Sequence, residues 1–343
     1  MTTSSAQSIL RLQNVTKEFS VKSGKKPFGD RAVLRAVDGA SLEIGRGETF
    51  ALVGESGSGK STLGRLAVGL LPVTEGNVQF EGEELTTMPR RQLRARRRRM
   101  QVVFQDPLGS LNPRMSVGDI VAEPLKVIER LRGRDLDERV TELFEQVGLN
   151  PGRRTARPRS LSGGQRQRVG IARAIAMNPS LVLADEAVSA LDVSVQAQIT
   201  NLMVDLRERL GLSYLFIAHG LPIVRHIAQR VGVMYLGRLV EVGPTESIFS
   251  DPQHPYTRAL LAASPVPDPE KRRERILLHG EPPSAMNLPS GCRFRTRCPI
   301  AQEVCAEVAP PRHASAGREV ECHFPGTDAP VPVSTESRER TTI

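Results

Sequence analysis

Eight residues constrain this chain more than any others: Gly54-Glu55-Ser56-Gly57-Ser58-Gly59-Lys60-Ser61. They fit G-x-x-x-x-G-K-S/T, they follow the apolar run Thr49–Val53, and they open a stretch of helical character over about 60–70. The glycines let the backbone wrap around phosphates and turn successive N–H groups towards them. The start of the helix adds the positive end of its dipole. Lys60 is expected to reach the β- and γ-phosphates and the Ser61 hydroxyl to hold Mg²⁺, with Thr62 completing the set. A strand–loop–helix unit of this kind implies an α/β chain.

The rest of residues 1–250 reads the same way. Residues 181–184 are apolar throughout, as a buried parallel strand would be, and end in Asp185 and Glu186. Asp185 is placed to hold Mg²⁺, usually through water, and Glu186 to polarise the attacking water. Helix is expected over 194–210 and strand over 213–218. A hairpin is expected from 231–236 and 239–242, with Gly237 first in its turn. Val140, Leu143, Phe144 and Val147 fall at i, i+3, i+4 and i+7, an amphipathic helix inside a helical insert at roughly 108–175. Fourteen of the 25 prolines lie after residue 250. That places a boundary near 250–255, a loop-rich extension over 251–326 and a disordered tail over 327–343.

A net charge of +9 would suggest nucleic acid were it spread over the chain. Arg90, Arg91, Arg94, Arg96, Arg97, Arg98 and Arg99 supply seven charges with no acid among them, and the remainder is close to neutral. The basicity is one patch, a solvated helix face or a contact for acidic headgroups. Tryptophan is absent and aromatic residues make up 4%, so base-stacking platforms are not expected. The N-terminal residues lack a basic stretch followed by an apolar one, so no secretory signal is expected, and no apolar run reaches membrane-spanning length.

Leu161-Ser162-Gly163-Gly164-Gln165 sets the chain apart from other phosphate-loop proteins. Ser162 can cap a helix whose first residues expose free amides, a second anion site. Because the first site already has its loop, a second calls for another nucleotide, which a head-to-tail dimer supplies. With the phosphate loop upstream and the acids downstream, this segment resembles the ATP-binding cassette (ABC) family. The resemblance implies a RecA-like parallel-sheet core, an antiparallel β subdomain and a helical subdomain. It implies ATP and Mg²⁺ as ligands, with Ser162, Gly163, Gly164 and Gln165 covering the γ-phosphate on a partner's phosphate loop. It further implies Gln105 as the glutamine that contacts Mg²⁺ or water and couples to a membrane partner. His219 would be the switch histidine, residues 189–192 the segment across the dimer interface, and Phe19 (Phe28 second) the adenine-stacking aromatic. Two positions depart from the family pattern: Gly220 follows the histidine where aspartate is usual, and Ala187 follows Glu186 where proline is common.

Residues 110–114 (SLNPR), 187–198 (AVSALDVSVQAQ) and 254–257 (HPYT) resemble the ATPase subunits of dipeptide and oligopeptide importers. That resemblance implies a peripheral ATPase on the cytoplasmic face of the inner membrane. Its partners would be two permease subunits, a second ATPase subunit in a heterodimer and an extracytoplasmic solute-binding protein, with no nucleic acid. Nickel and glutathione importers share this subunit type, so the cargo stays open. A soluble ABC ATPase of DNA repair or translation is the alternative of another class. The single cassette, and the short interval from Gly54 to Ser162, speak against it.

Cys292, Cys298, Cys305 and Cys322 are all the cysteines of the chain. Their spacing lacks the tight C-x2–4-C pair of structural zinc sites, whereas a 4Fe–4S cluster tolerates looser loops. Some peptide-importer ATPases are similar here and carry such a cluster; zinc and metal-free thiols remain alternatives. Arg293, Arg295 and Arg297 would then offset the charge of a thiolate-bound cluster. Its role would be to staple an extension with little core.

Overall fold

The computed structural model describes residues 8–22, 31–218, 220–263, 283–315 and 317–327. Its strands are β1 (Ser8–Lys22), β2 (Arg31–Gly45), β3 (Thr49–Val53), β4 (Glu75–Phe80), β5 (Glu83–Glu84), β6 (Met100–Val103), β7 (Leu181–Asp185), β8 (Ser213–Ile217), β9 (Arg230–Tyr235), β10 (Arg238–Pro244), β11 (Arg312–Ser315) and β12 (Arg318–Glu321). Its helices are α1 (Lys60–Ala67), α2 (Arg90–Arg96), α3 (Pro107–Ser110), α4 (Val117–Pro124), α5 (Gly133–Gln146), α6 (Gly163–Ile175), α7 (Val193–Leu210), α8 (Leu221–Ile227), α9 (Thr245–Ser250), α10 (Pro255–Ala263) and α11 (Val304–Glu307).

The strands form two sheets. An antiparallel sheet runs in the order β2-β1-β4-β5, and an eight-stranded sheet runs β11-β12-β10-β9-β3-β8-β7-β6. In the larger sheet β9, β3, β8, β7 and β6 are mutually parallel. Every residue of β3, β7 and β8 is buried, which is why these strands are apolar on both faces. Their side chains alternate between two cores. Phe50, Leu52, Leu181, Leu183, Leu215 and Ile217 pack with α1 and the antiparallel sheet. Ala51, Val53, Val182, Ala184, Tyr214 and Phe216 pack with α4 to α8. In α5, Leu136, Val140, Leu143 and Phe144 form the buried stripe.

Three elements differ from the expectations. The helix after the phosphate loop ends at Ala67, because Gly69 turns left-handed (φ +66°) and Leu70 N closes back to Arg65 O at 2.8 Å. The hairpin turn is Leu236-Gly237, closed by the pair Arg238–Tyr235, so glycine comes second. Both turn residues have positive φ (42° and 86°), the type I′ pattern whose twist matches the strands. The extension, expected to have little core, joins the main one. Its β12 pairs with β10, and Phe294 is buried against Tyr235 and Tyr256 at ring separations of 5.2 and 5.4 Å. Burying a phenylalanine contributes about 2–3 kcal/mol, so apolar packing already holds this segment.

Among the described residues no helix is long and apolar enough to cross a membrane. The arginine run forms α2 and the turn after it and buries none of its residues. Arg96 and Arg99 pair with Glu83 and Glu81.

Candidate functional site

Parallel β3, β7 and β8 end on one edge of the sheet, where an open α/β fold gathers its ligand-binding loops. The phosphate loop leaves β3 there. Gly59 sits at φ +104°, and a Cβ on it would lie 2.2 Å from Ala36 O, so a side chain is excluded by both torsion and space. Ser58 N donates to Glu55 O at 3.2 Å, tightening the loop. No side chain caps the start of α1, which leaves the dipole end open to an anion.

Lys60 curls back over its own loop. Its Nζ donates to Gly54 O and Glu55 O, both at 2.8 Å, and to Ser58 Oγ at 3.3 Å. Burial lowers its pKa, and the charges of Glu186, Asp185 and Glu55 oppose that shift. The ammonium is therefore satisfied by carbonyls that a triphosphate can replace.

Asp185 closes β7, and its Oδ1 accepts from Ser61 Oγ at 2.7 Å, while Arg65 approaches Oδ2 at 3.5 Å. A hydroxyl and a carboxylate in contact form the donor pair that a hydrated Mg²⁺ would take. Glu186 is mostly buried and left-handed (φ 52°), and its N–H donates to Ile217 O at 3.1 Å. Ser189 N and Oγ both bond back to Glu186 O, at 3.1 and 3.0 Å. The turn thus holds an energetically unfavourable torsion at the residue expected to polarise water.

The structure therefore brings Lys60, Ser61, Asp185 and Glu186 together. Gln105 is exposed just beyond β6, beside the exposed Phe104. Phe19 is half-buried on β1 opposite Leu34, with Lys17 Nζ 5.2 Å from its ring centre. His219 and Phe28 lie outside the described residues.

Ser162 caps α6 reciprocally. Its Oγ accepts from Gln165 N at 3.2 Å, and its N–H donates to Gln165 Oε1 at 3.1 Å. A Cβ on Gly164 would come within 2.6 Å of Val195 Cγ1, and one on Gly163 within 3.1 Å of Leu191 Cδ2. Gly164 accordingly packs closely on the start of α7 and Gly163 on Leu191 just before it, besides exposing their amides.

Two residues at the phosphate loop escaped sequence reasoning. Tyr256 Oη accepts from Glu55 N at 2.8 Å. Arg297 donates to both carboxylate oxygens of Glu55, at 2.8 and 3.0 Å. The three arginines beside the cysteines have oxygen partners of their own. Arg297 pairs with Glu55, Arg293 pairs with Asp38 and donates to Leu236 O, and Arg295 donates to Ser290 O at 3.0 Å. The sequence held one signal for Tyr256, the HPYT segment, but none that linked Arg297 to residue 55.

The four thiols are free, and Cys305 and Cys322 are buried. Burial pushes Cys298 up to about 12 and Cys322 up to about 11. Cys292 N donates to Cys305 O at 2.8 Å, and Phe324 N donates to Cys322 Sγ at 3.3 Å. Among the described residues no three His, Cys, Asp or Glu side chains are grouped to hold a metal ion.

Known proteins show the same organisation. The sequence profile of the ABC transporter family matches residues 37–189, and that of the oligopeptide/dipeptide transporter C-terminal region matches residues 240–305. A probable peptide ABC transporter ATP-binding protein, y4tS, of Sinorhizobium fredii is 50% identical over 93% of this chain and 90% of its own. The oligopeptide transport ATP-binding protein OppF of Escherichia coli is 48% identical over 92% of this chain and 95% of its own. The solved ATP-binding cassette MJ0796, dimeric and bound to ADP and phosphate, superposes with a TM-score of 0.61 at 30% identity, covering 69% of this chain and 98% of its own. The chain belongs to the ABC transporter family as an ATP-hydrolysing subunit, in the branch that carries the oligopeptide/dipeptide transporter C-terminal region.

Proposed function

We propose that this subunit powers the import of di- or oligopeptides from the cytoplasmic face of the inner membrane, paired with a second ATPase subunit beneath two permeases and fed by an extracytoplasmic solute-binding protein. Peptide cargo rests on what the relatives are named for; nickel- and glutathione-type cargo are the competing outcomes. The reading divides the chain into a nucleotide-binding unit over 1–250, an extension over 251–326 and a tail beyond.

In this reading Gly54 to Thr62 cradle the triphosphate, and Ser61, Asp185 and Gln105 serve Mg²⁺. Glu186 polarises the water and His219 contacts the γ-phosphate. Phe19 stacks on adenine, and Ser162 to Gln165 close the partner's site. The observation that carries it is the Ser61–Asp185 contact, which joins the phosphate loop to the acidic strand end in one chain. Gln105 and Phe104, exposed beyond β6, are suited to transmit that site's state to a permease.

The proposal extends to a structural 4Fe–4S cluster on Cys292, Cys298, Cys305 and Cys322. It is supported by the thiols lying near enough to influence one another electrostatically, and by backbone N–H groups aimed at three of the sulfurs. The absence of a tight C-x2–4-C pair in the sequence makes zinc the poorer fit. Such a cluster would supply cross-linking of loops, with no part in hydrolysis. Protein purified anaerobically should be brown, with about four irons and four sulfides per chain; colourless protein with stoichiometric zinc overturns it.

The functional test is reconstitution of the chain, co-expressed with candidate permease subunits, in vesicles. Hydrolysis should rise when peptide-loaded binding protein is added. Stimulation by nickel or glutathione alone, or co-purification with ribosomes or nucleic acid, overturns the peptide reading.

A further inference from the structure

Glu55 is the second residue of the phosphate loop, and its charge acts on Lys60, the residue expected to meet the negative charges of ATP. A carboxylate there opposes phosphate binding unless a cation neutralises it. Arg297 does so, with two N–H···O bonds of 2.8 and 3.0 Å in the fork geometry that suits a carboxylate. The pair is well sheltered: the Arg297 side chain is 7% exposed and that of Glu55 27%. Tyr256 holds the same residue by its backbone, accepting from Glu55 N at 2.8 Å. Glu55 O in turn receives Lys60 Nζ and Ser58 N, so the residue gripped by Arg297 and Tyr256 also sets the resting place of the phosphate-binding lysine.

Arg297 and Tyr256 are carried by a built surface. Tyr235, Tyr256 and Phe294 meet in tilted and edge-on ring contacts, with the Tyr235 and Tyr256 centroids 4.6 Å apart, and Arg293 anchors the same loop to Leu236 O and Asp38. We infer that Arg297, acting with Tyr256, is a positioning residue for ATP binding: the C-terminal extension neutralises Glu55 and fixes the phosphate loop in its receptive form. The inference rests on the ATP-binding reading of the loop. It makes nucleotide affinity a property of a segment 242 residues away in sequence.

The test is titration of full-length protein with a fluorescent ATP analogue and Mg²⁺, for wild type, R297A, R297K, E55Q and the double variant E55Q/R297A. R297A leaves the Glu55 carboxylate unneutralised and should raise the dissociation constant about tenfold, the worth of one charge-assisted pair. R297K should fall between it and wild type. E55Q/R297A, which removes the stranded charge, should recover most of the loss. A residue that merely docked the extension would give a double variant no better than R297A, and that result overturns the inference. Unchanged affinity in R297A overturns it too, while nucleotide binding by wild type keeps the ATP site itself in place. Should R297A fail to fold, R297Q against E55Q/R297Q, which also removes the cation but keeps more of the side chain, gives the same comparison, with the same two outcomes deciding.

Discussion

Ser61 and Asp185, 124 residues apart in sequence, share a 2.7 Å hydrogen bond from hydroxyl to carboxylate. The bond ties the first turn of α1 to the end of β7. Two groups that would hold Mg²⁺ therefore stand together. Ser61→Ala removes one ligand and the tether, and should cut Mg²⁺-dependent hydrolysis at least about tenfold, whereas Ser61→Thr keeps the hydroxyl and should stay near wild type. A Mg²⁺ titration of ATPase activity in the assembled transporter decides it. Normal activity in the alanine variant would remove Ser61 from the metal site.

Glu186→Gln keeps the size of the side chain and leaves the phosphate loop untouched, so ATP binding should persist. Loss of the charge that polarises water should slow hydrolysis about 10²-fold or more and trap an ATP-bound dimer. Light scattering after gel filtration with Mg-ATP reports the dimer. Steady-state hydrolysis close to wild type would show that another group activates the water.

Gly164→Ala sets a methyl 2.6 Å from Val195 Cγ1, and valine on a helix has little rotameric freedom to yield. Overpacking of this kind costs about 1–3 kcal/mol. Thermal melts should show the loss in Gly164→Ala and its partial recovery in Gly164→Ala with Val195→Ala. If the single variant melts like wild type, the glycine serves only the exposure of its amide.

Gly220 begins α8 without a side-chain cap, and a Cβ there would meet nothing within 4 Å. Gly220→Asp fits the space and supplies a helix cap, worth a few tenths of a kcal/mol. It also restores the residue usual after the switch histidine, so hydrolysis should rise. A lower melting temperature, or unchanged hydrolysis, would mark glycine as neutral or required at this position.

His254 is fully buried, and burial drives its pKa down to about 3, while Tyr256 N donates to its Nδ1 at 3.0 Å. The ring is thus neutral when folded but takes up a proton near pH 6.5 when unfolded. Its contribution to stability is complete above pH 6.5 and drains away as the pH falls towards 3. At pH 5 the loss is about 2 kcal/mol. His254→Asn keeps an acceptor near Nδ1 and cannot be protonated, so its melting temperature should fall less between pH 7 and pH 5 than that of wild type. Parallel curves for the two proteins would exclude His254 as an acid-sensitive element.

The sequence by itself determined the local units. The phosphate loop, the acidic strand end, the amphipathic α5 and the Ser162 cap were legible because each depends on residues within a few positions of one another. Short apolar runs also marked β3, β7 and β8, since a strand buried on both faces must be apolar throughout. Tertiary structure alone decided which distant groups meet. It set Arg297 on Glu55, put Tyr256 on a phosphate-loop amide, and brought Gly164 against Val195. It also gave Phe294 a place in the main core. The hairpin turn shows the same division on a small scale. Leu236 and Gly237 are adjacent in sequence, yet the cross-strand pair Arg238–Tyr235 fixes which two residues turn. The physical reason is common to all of these. An ion pair, a ring contact or a register is a property of two surfaces, and a sequence records each surface without recording which other one it will touch.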